Sequence, residues 1–216
     1  MCAHIKISSS DCYTVVVQYF IGIDEAGRGA LAGPVAVGAV LYPEDFDWRE
    51  VFALITKRGE PKLRDSKKLS AQQRDILFEY IAEHGRLKHS VALVGSDVID
   101  AIGIVNAANE ATALAIATLG VDSSKAKVLL DAGLKAPSKW TQESFVRGDE
   151  NIPAISFASI MAKVSRDRHM VDLAESYAHY GFDRHKGYGT DEHIKSIRKH
   201  GISPVHRASF MSFLSA

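Results

Sequence analysis

The sequence predicts an α/β fold in which a mixed β-sheet is covered by helices. β-branched and aromatic residues dominate the early segments, whereas segments with apolar residues every three to four positions alternate with short strands later. The chain has 216 residues, enough for one domain with its own core. Hydrophobic residues make up 46% and charged residues 24%, the ordinary balance for a globular protein.

The first two predicted strands form a hairpin. Tyr13–Asp24 is rich in Val, Ile, Tyr and Phe, and Val35–Tyr42 is a second apolar run. The glycine-rich segment Ala26–Pro34 joins them as a turn. Three further strands are predicted at Leu87–Val94, Lys127–Asp131 and Phe145–Val146.

Helices are predicted where capping residues precede apolar periodicity. Ser70 and Gln73 have the spacing of a capping box, so a helix should run from there to about His84. Pro153 can begin a long helix that ends near Gly181. Other helices are predicted from Ser96 onward, at Asn106–Leu119 and at Asp191–His200, with a polar turn at Arg147–Asn151 and a loop at His185–Gly189.

We expect one domain with a helical extension. Residues 1–12 form a short N-terminal extension, residues 13–181 the main domain, and residues 182–216 a C-terminal extension packed on it. No apolar run approaches the length of a membrane-spanning helix, and Met1–Asp11 lacks the apolar core of a signal peptide. We therefore expect a cytoplasmic protein without a membrane partner. Cys2 and Cys12 lie outside any patterned segment, which argues against a disulfide framework or a zinc site.

Charge is balanced over the whole chain but not along it. Lys plus Arg and Asp plus Glu each total 26, and a net charge of zero is mild evidence against a nucleic-acid-binding protein. Between Arg184 and Arg207, however, six basic residues stand against two acidic ones. This segment either faces a polyanion or forms a solvated, charged helix face.

Acidic residues stand where two predicted strands end. Asp24 and Glu25 end the first strand and Asp131 ends another, while Asp149 lies in a turn ahead of the long helix. Ligands of open α/β sheets collect beyond the carboxyl ends of strands. Carboxylates repel one another, but a hard divalent cation favours their gathering, and two such ions can promote phosphodiester hydrolysis. Each acid could instead cap a helix or lie in a loop.

Two further groups of residues could contact phosphate or sugar. Gly27, Arg28 and Gly29 could present backbone amides to an anion, or could simply form the tight hairpin turn. The basic candidates and one loop aromatic could contact nucleic acid or could be ordinary surface residues; they are Lys67, Lys68, Lys163, Arg166 and Tyr188.

Six motifs follow one another along the chain in a fixed order. They are Gly22–Gly29 with Gly33–Val35, Asp65–Ser70, Leu130–Gly133, Arg147–Asp149 with Ile155–Asp167, His185–Thr190, and His206–Phe210. Together they resemble the ribonuclease HII family over roughly residues 13–213. The resemblance implies the ribonuclease H-like fold for residues 13–181 and a substrate-binding role for residues 182–216. It also implies an endonuclease that cuts the RNA strand of RNA–DNA hybrids. We expect the protein to act as a monomer.

The resemblance further implies 5′ incision at single ribonucleotides in duplex DNA, leaving 3′-hydroxyl and 5′-phosphate ends. The carboxylates Asp24, Glu25, Asp131 and Asp149 would be catalytic and would bind Mg²⁺ or Mn²⁺ for two-metal-ion catalysis. Gly27, Arg28 and Gly29 would read the ribose 2′-hydroxyl, Tyr188 would stack under the sugar at the RNA-to-DNA junction, and Lys67 and Lys163 would contact phosphate. Phe157 departs from the family pattern, which usually has alanine there, so we expect local repacking.

Two alternatives remain beside the nuclease. A phosphate-handling ATPase of related fold would use Asp24 and the glycine-rich turn around nucleotide phosphates, and it predicts saturable ATP binding. A non-catalytic hybrid-binding module predicts binding without turnover.

Overall fold

The protein forms a five-stranded mixed sheet with helices on both faces. The computed structural model describes residues 18–55 and 69–214. Predictions for residues 1–17, for Lys67 and Lys68, and for most of the Asp65–Leu69 loop lie outside the described residues. The strands are β1 (Tyr19–Ala26), β2 (Val35–Pro43), β3 (Lys88–Val94), β4 (Ala126–Asp131) and β5 (Thr141–Phe145).

The sheet contains both antiparallel and parallel strand pairs. Its strand order is β3-β2-β1-β4-β5, with β1 antiparallel to β2, β2 antiparallel to β3, and β4 parallel to both β1 and β5. The predicted hairpin is therefore confirmed. β1 continues past Asp24 to Ala26, because Ala26 still pairs with Ala36 on β2. β5 ends at Phe145 and does not include Val146, whose side chain is 81% exposed.

Eight α-helices are seen among the described residues. They are α1 (Arg49–Ala53), α2 (Ala71–Glu83), α3 (Ser96–Ile102), α4 (Ile104–Thr118), α5 (Gly148–Asn151), α6 (Pro153–Ser176), α7 (Phe182–His185) and α8 (Asp191–His200). Ser70 and Gln73 form the predicted capping box at the start of α2. None of these helices is both long and apolar enough to cross a membrane.

Three helical predictions were wrong in detail. The Arg147–Asn151 turn contains α5, a single helical turn. α6 ends at Ser176, because Tyr177 has φ −129°, and one 3₁₀ turn then precedes Gly181. The predicted loop from His185 starts one residue later, since His185 is the last residue of α7.

Helix α6 lies unusually close to the sheet. A Cβ atom at Gly38 of β2 would collide with the Ala158 carbonyl oxygen of α6. Glycine therefore permits this close approach of helix and strand. The approach places the middle of α6 beside the end of β1, where Asp24 lies.

Three apolar clusters hold the fold together. One joins the face of the sheet formed by Ile21, Ile23 and Val37 to α4, and a second joins α1 and α2 to α6. Phe157 belongs to the second cluster, where its ring stacks on Trp48 with centroids 5.0 Å apart, so the aromatic side chain is accommodated by packing.

The third cluster joins the C-terminal residues to the rest of the chain. Its buried members come from the β1–β2 connection, from α6, from the 3₁₀ turn before Gly181 and from the segment after it; they are Ala32, Met170, Tyr180, Phe182, Ile197 and Met211. The segment after Gly181 therefore shares a core with residues before it. The exact boundary at residue 181 stays a prediction.

Candidate active site

The carboxyl ends of β1 and β4 lie side by side. The two strands are parallel neighbours, and Ile23 pairs with Leu130. Asp24 and Asp131 are the next residues on each strand, so their side chains meet at one edge of the sheet. Asp24, Glu25 and Asp131 line a groove of about 310 Å³, which we call the carboxylate groove. Its other lining residues are Ala26, Gly27, Arg28, Gly29, Arg74, Ser159, Lys163 and Tyr188.

Asp24 is the most buried acid of this groove. Its side chain is 5% exposed, and Oδ1 accepts a hydrogen bond of 2.8 Å from the Glu25 amide. Burial raises the pKa of Asp24 well above its usual value, and the charges of Glu25 and Asp131 raise it further. A hydrogen bond from Ser159 on α6 opposes this shift. Our sequence predictions gave Ser159 no role. The signal that could have identified it is a serine on the buried face of the long helix.

Glu25 is only partly satisfied by the protein. Arg28 Nη1 donates to Glu25 Oε1 at 3.3 Å, whereas Oε2 is buried and has no hydrogen-bond partner among the described residues. Burial raises the pKa of Glu25, and Arg28 opposes the rise. A buried carboxylate oxygen without a donor is costly, and a bound cation would satisfy it. This unpartnered oxygen of Glu25 therefore suits a divalent metal ion.

Asp131 is hydrogen-bonded to Gly148, the residue that precedes Asp149. The Gly148 amide at the start of α5 donates to Asp131 Oδ1 at 2.8 Å. Asp149 follows directly and is 4% exposed, but it does not line the carboxylate groove. Within residues 18–55 and 69–214, no three His, Cys, Asp or Glu side chains are arranged so that they could hold a metal ion. The four-carboxylate metal set therefore stays a prediction.

The connection between β1 and β2 forms one wall of the groove. We call residues 27–34 the glycine loop. Gly27 has φ +83°, and a Cβ atom there would collide with the Arg166 side chain, so both backbone and space require glycine. Gly29 has the opposite surroundings, because nothing lies within 4 Å of where its Cβ would be. The loop is thus packed at Gly27 and open at Gly29.

Two buried arginines hold the glycine loop from beneath. Arg166 donates to the carbonyl oxygens of Pro34 at 2.9 Å and Ala32 at 3.1 Å. Arg207 donates to the carbonyl oxygens of Gly33 at 3.0 Å and Arg28 at 2.9 Å.

Both arginine side chains are 0% exposed. The suggestion that Arg166 contacts phosphate or lies on the surface was therefore wrong. Its helical spacing from Ala162 and Met170, both buried, was the signal of burial.

Lys163 and Tyr188 reach the carboxylate groove from α6 and from the segment after α7. The Lys163 amine lies 5.8 Å from the Tyr188 ring centroid and pairs with Asp167 at 2.8 Å. The Arg166 guanidinium lies 5.4 Å from the same ring. Arg74 of α2 also lines the groove, and our sequence predictions assigned it no role.

The basic C-terminal segment does not line the groove apart from Tyr188. Arg184 pairs with Glu192, and Arg207 is buried. On α8, the basic side chains of Lys195, Arg198 and Lys199 are exposed.

Comparisons with known proteins match the chain to one family. The family described as ribonuclease HII matches residues 21–213. The chain is 40% identical over 200 residues to the ribonuclease HII of Halalkalibacterium halodurans, and the alignment covers 93% of this chain and 70% of that relative.

Solved structures support the fold. The ribonuclease H2 from Pyrococcus horikoshii OT3 has a TM-score of 0.69 at 26% identity, over 88% of this chain and 93% of that chain. Bst-RNase HIII in complex with Mn²⁺ has a TM-score of 0.62 at 15% identity, over 91% of this chain and 68% of that chain, a likeness of fold alone. The fold is therefore ribonuclease H-like, as the resemblance implied.

Proposed function

Because the chain belongs to the ribonuclease HII family, a family of metal-dependent endonucleases that act on RNA–DNA hybrids, we propose that it also cuts duplex DNA on the 5′ side of a single embedded ribonucleotide. The observation that carries this proposal is the carboxylate groove, in which three acids, the glycine loop and Tyr188 share one space. Acids suit metal-assisted hydrolysis, and the loop suits recognition of a ribose.

The acids would bind two divalent ions, Mg²⁺ or Mn²⁺. We assign this role to Asp24, Glu25, Asp131 and Asp149, which offer the oxygen ligands that hard cations prefer. When bound, the ions would lower the pKa of the attacking water and neutralise charge developing on the phosphodiester. The unpartnered Glu25 Oε2 and the raised pKa values of Asp24 and Glu25 support this assignment.

The glycine loop would identify the ribose. Gly27, Arg28 and Gly29 would hydrogen-bond the 2′-hydroxyl and the neighbouring phosphate through their backbone, and the open space at Gly29 leaves room for a sugar. The 2′-hydroxyl distinguishes RNA from DNA, and a site built to hydrogen-bond it strongly rejects the analogue that lacks it. Arg166 and Arg207 would keep the loop carbonyls turned away from the ligand.

Tyr188 would stack under the sugar at the RNA-to-DNA junction. Its ring lines the groove beside Lys163 and is partly exposed. Lys163 would contact a backbone phosphate, because its amine reaches the same groove, and Lys67 is proposed for a second phosphate contact. Water would attack in line at phosphorus, leaving a 3′-hydroxyl and a 5′-phosphate.

The family assignment favours the endonuclease over the ATPase and over the non-catalytic binding module. A monomeric state and a cytoplasmic location stay predictions.

The test is cleavage of a labelled DNA duplex that carries one ribonucleotide. Reactions contain Mg²⁺, Mn²⁺ or EDTA, beside an all-DNA duplex and a long RNA–DNA hybrid. We expect a metal-dependent cut on the 5′ side of the ribonucleotide, while the all-DNA duplex stays intact. Cleavage of the hybrid alone would reject the single-ribonucleotide activity.

Asp149 needs its own comparison, because it does not line the groove. Asp149→Asn should abolish cleavage, whereas Glu150→Gln, which changes the exposed neighbouring acid, should leave it unchanged. Equal activity of both variants would remove Asp149 from the metal set.

A further inference from the structure

Two buried histidines lie one behind the other next to Tyr188. His193 on α8 is 0% exposed and His206 is 3% exposed. The Nε2 atoms of the two rings are 3.1 Å apart, His193 Nδ1 lies 2.9 Å from the Tyr188 carbonyl oxygen, and the Ser203 amide donates to His206 Nδ1 at 2.9 Å. We call the path Ser203–His206–His193–Tyr188 the histidine relay.

The backbone groups at its two ends determine where the protons lie. The Ser203 amide can only donate, so His206 Nδ1 is bare and its proton is on Nε2. The Tyr188 carbonyl can only accept, so His193 carries its proton on Nδ1 and its Nε2 is bare. The two assignments agree in the middle, because His206 Nε2–H then donates to His193 Nε2. All three of these hydrogen bonds point the same way, toward Tyr188.

A third histidine supports the same arrangement. His185 stacks on His193 with ring centroids 4.5 Å apart, and its Nδ1 accepts from the Gly187 amide while Nε2 faces the Tyr180 carbonyl. Its tautomer is therefore set by backbone groups as well. The segment that carries Tyr188 is thus held by imidazole contacts at Gly187 and at Tyr188.

The far end of the relay is tied to the glycine loop. His206 forms a β-bridge with Ala32, and the next residue, Arg207, donates its amide to Leu31 at 2.9 Å. The Gly187 carbonyl, next to Tyr188, accepts from the amides of Leu31 at 2.8 Å and Ala32 at 3.2 Å. The relay and these backbone hydrogen bonds therefore connect Tyr188, the C-terminal segment and the glycine loop to one another.

Protonation of either His193 or His206 would disrupt the hydrogen bonds of the relay. On His193 Nε2 the added proton would face the N–H of His206, and on His206 Nδ1 it would face the Ser203 amide. Burial, which disfavours the charged form, lowers the pKa of both histidines to about 4. His185 and His179 lie near enough for their charge to lower these values further.

We propose that His193 and His206 are positioning residues for Tyr188, which they hold in the orientation that contacts the sugar of the substrate. The proposal rests on the function proposed for Tyr188. The relay holds the tyrosine by its backbone and leaves the aromatic ring free to face the carboxylate groove. Neither histidine lines the groove, so neither touches the reacting atoms.

Isosteric substitutions separate the two hydrogen bonds of His193. Asn places an amide where Nδ1 lies and can still donate to Tyr188, whereas Gln reaches His206 but not Tyr188. We expect His193→Gln to lower kcat/KM on the single-ribonucleotide duplex about tenfold, the scale of one buried hydrogen bond, and His193→Asn to lower it by about threefold or less. His200→Gln, an exposed histidine on the same helix, is the matched control and should change nothing.

A double-mutant cycle distinguishes positioning from general destabilisation. In a Tyr188→Ala background, His193→Gln should cause no further loss of kcat/KM, because the group that it positions is gone. A further tenfold loss there, or equal losses for the Asn and Gln variants, would overturn the proposal. Where His193 variants fold poorly, two His206 variants give the same contrast. His206→Gln keeps the donor to His193 and should change kcat/KM little, whereas His206→Asn removes that donor and should lower kcat/KM.

Nitrogen-15 NMR of the histidine rings tests the relay without any substrate. We expect the proton on Nδ1 of His193 and on Nε2 of His206 at pH 7, and other tautomers would reject the relay itself. If Tyr188→Ala cuts both substrates as well as the unaltered chain, the role of Tyr188 fails and the positioning role with it, whatever the spectra show.

Discussion

The carboxylate groove and the histidine relay are both buried and polar, but they satisfy their polar atoms differently. In the groove, Glu25 Oε2 has no partner among the described residues, and burial raises the pKa values of Asp24 and Glu25. In the relay, every ring nitrogen of His193 and His206 has a partner. A buried carboxylate oxygen without a donor in a groove suits a bound cation, whereas the complete hydrogen-bond network of the relay suits a supporting structure.

The largest expected effect is on activity in the groove. Asp24→Asn should lower cleavage of a hybrid by on the order of a thousandfold, because a proposed metal ligand is lost, while binding of the uncut hybrid stays largely intact. The same variant should raise the free energy of unfolding, because a buried and repelled charge is removed. Cleavage assays, hybrid titrations and urea unfolding measure the three quantities. Retained cleavage would remove Asp24 from the metal site.

The pH dependence of stability should have opposite signs in the two regions. The folded pKa of His193 and His206 is about 4 against an ordinary 6.5, so the unfolded chain binds more protons between these values. Stability should therefore fall as pH drops from about 6.5 to 4. The folded pKa of Asp24 is raised, so its contribution has the opposite sign: acidification through that pKa stabilises the fold.

Urea unfolding from pH 7.5 to 4.5 in EDTA tests this difference. A variant with Gln at both histidines should show a flatter decline of stability toward low pH than the unaltered chain. Asp24→Asn should show a steeper decline, because it loses the opposing contribution. Parallel curves for all three proteins would contradict the comparison.

Removal of a relay ring should destabilise the fold. His193→Ala leaves the Nε2–H of His206 without its acceptor and opens a cavity beside Phe182, whose ring centroid lies 5.5 Å from that of His193. We expect a loss of about 2 kcal/mol in the free energy of unfolding. His200→Ala, at an exposed position of α8, should change it by less than about 0.5 kcal/mol. Chemical denaturation decides, and equal effects would show that the relay adds no stability.

The smallest effect concerns the place where the two regions meet. Tyr188→Ala should lower cleavage at a lone ribonucleotide about tenfold more than cleavage of a long hybrid, because stacking at one sugar matters most where there is one junction. The ratio of kcat/KM on the two substrates measures this. Equal losses on both substrates would contradict the junction role.

Local patterns in the sequence were sufficient for most of the secondary structure. The capping box at Ser70, the apolar strands and the long helix from Pro153 were all predicted and found. Errors arose where strand pairing extended an element beyond the residues that the local sequence pattern predicted. Asp24 and Glu25 looked like a strand end, but their ladder with β2 extends β1 to Ala26. Motif order indicated the family, which the comparisons established.

The sequence by itself determined the mixed α/β sheet, the family and the acids near the carboxyl ends of two strands. Only the tertiary structure decided that Arg166 is buried, that Ser159 bonds Asp24 and that His193 and His206 form one path. The reason is physical: strand and helix preferences depend on neighbours a few residues away, so they are visible in a single segment. A buried hydrogen bond joins residues such as Arg166 and Ala32, 134 positions apart, and only the packed chain brings them together.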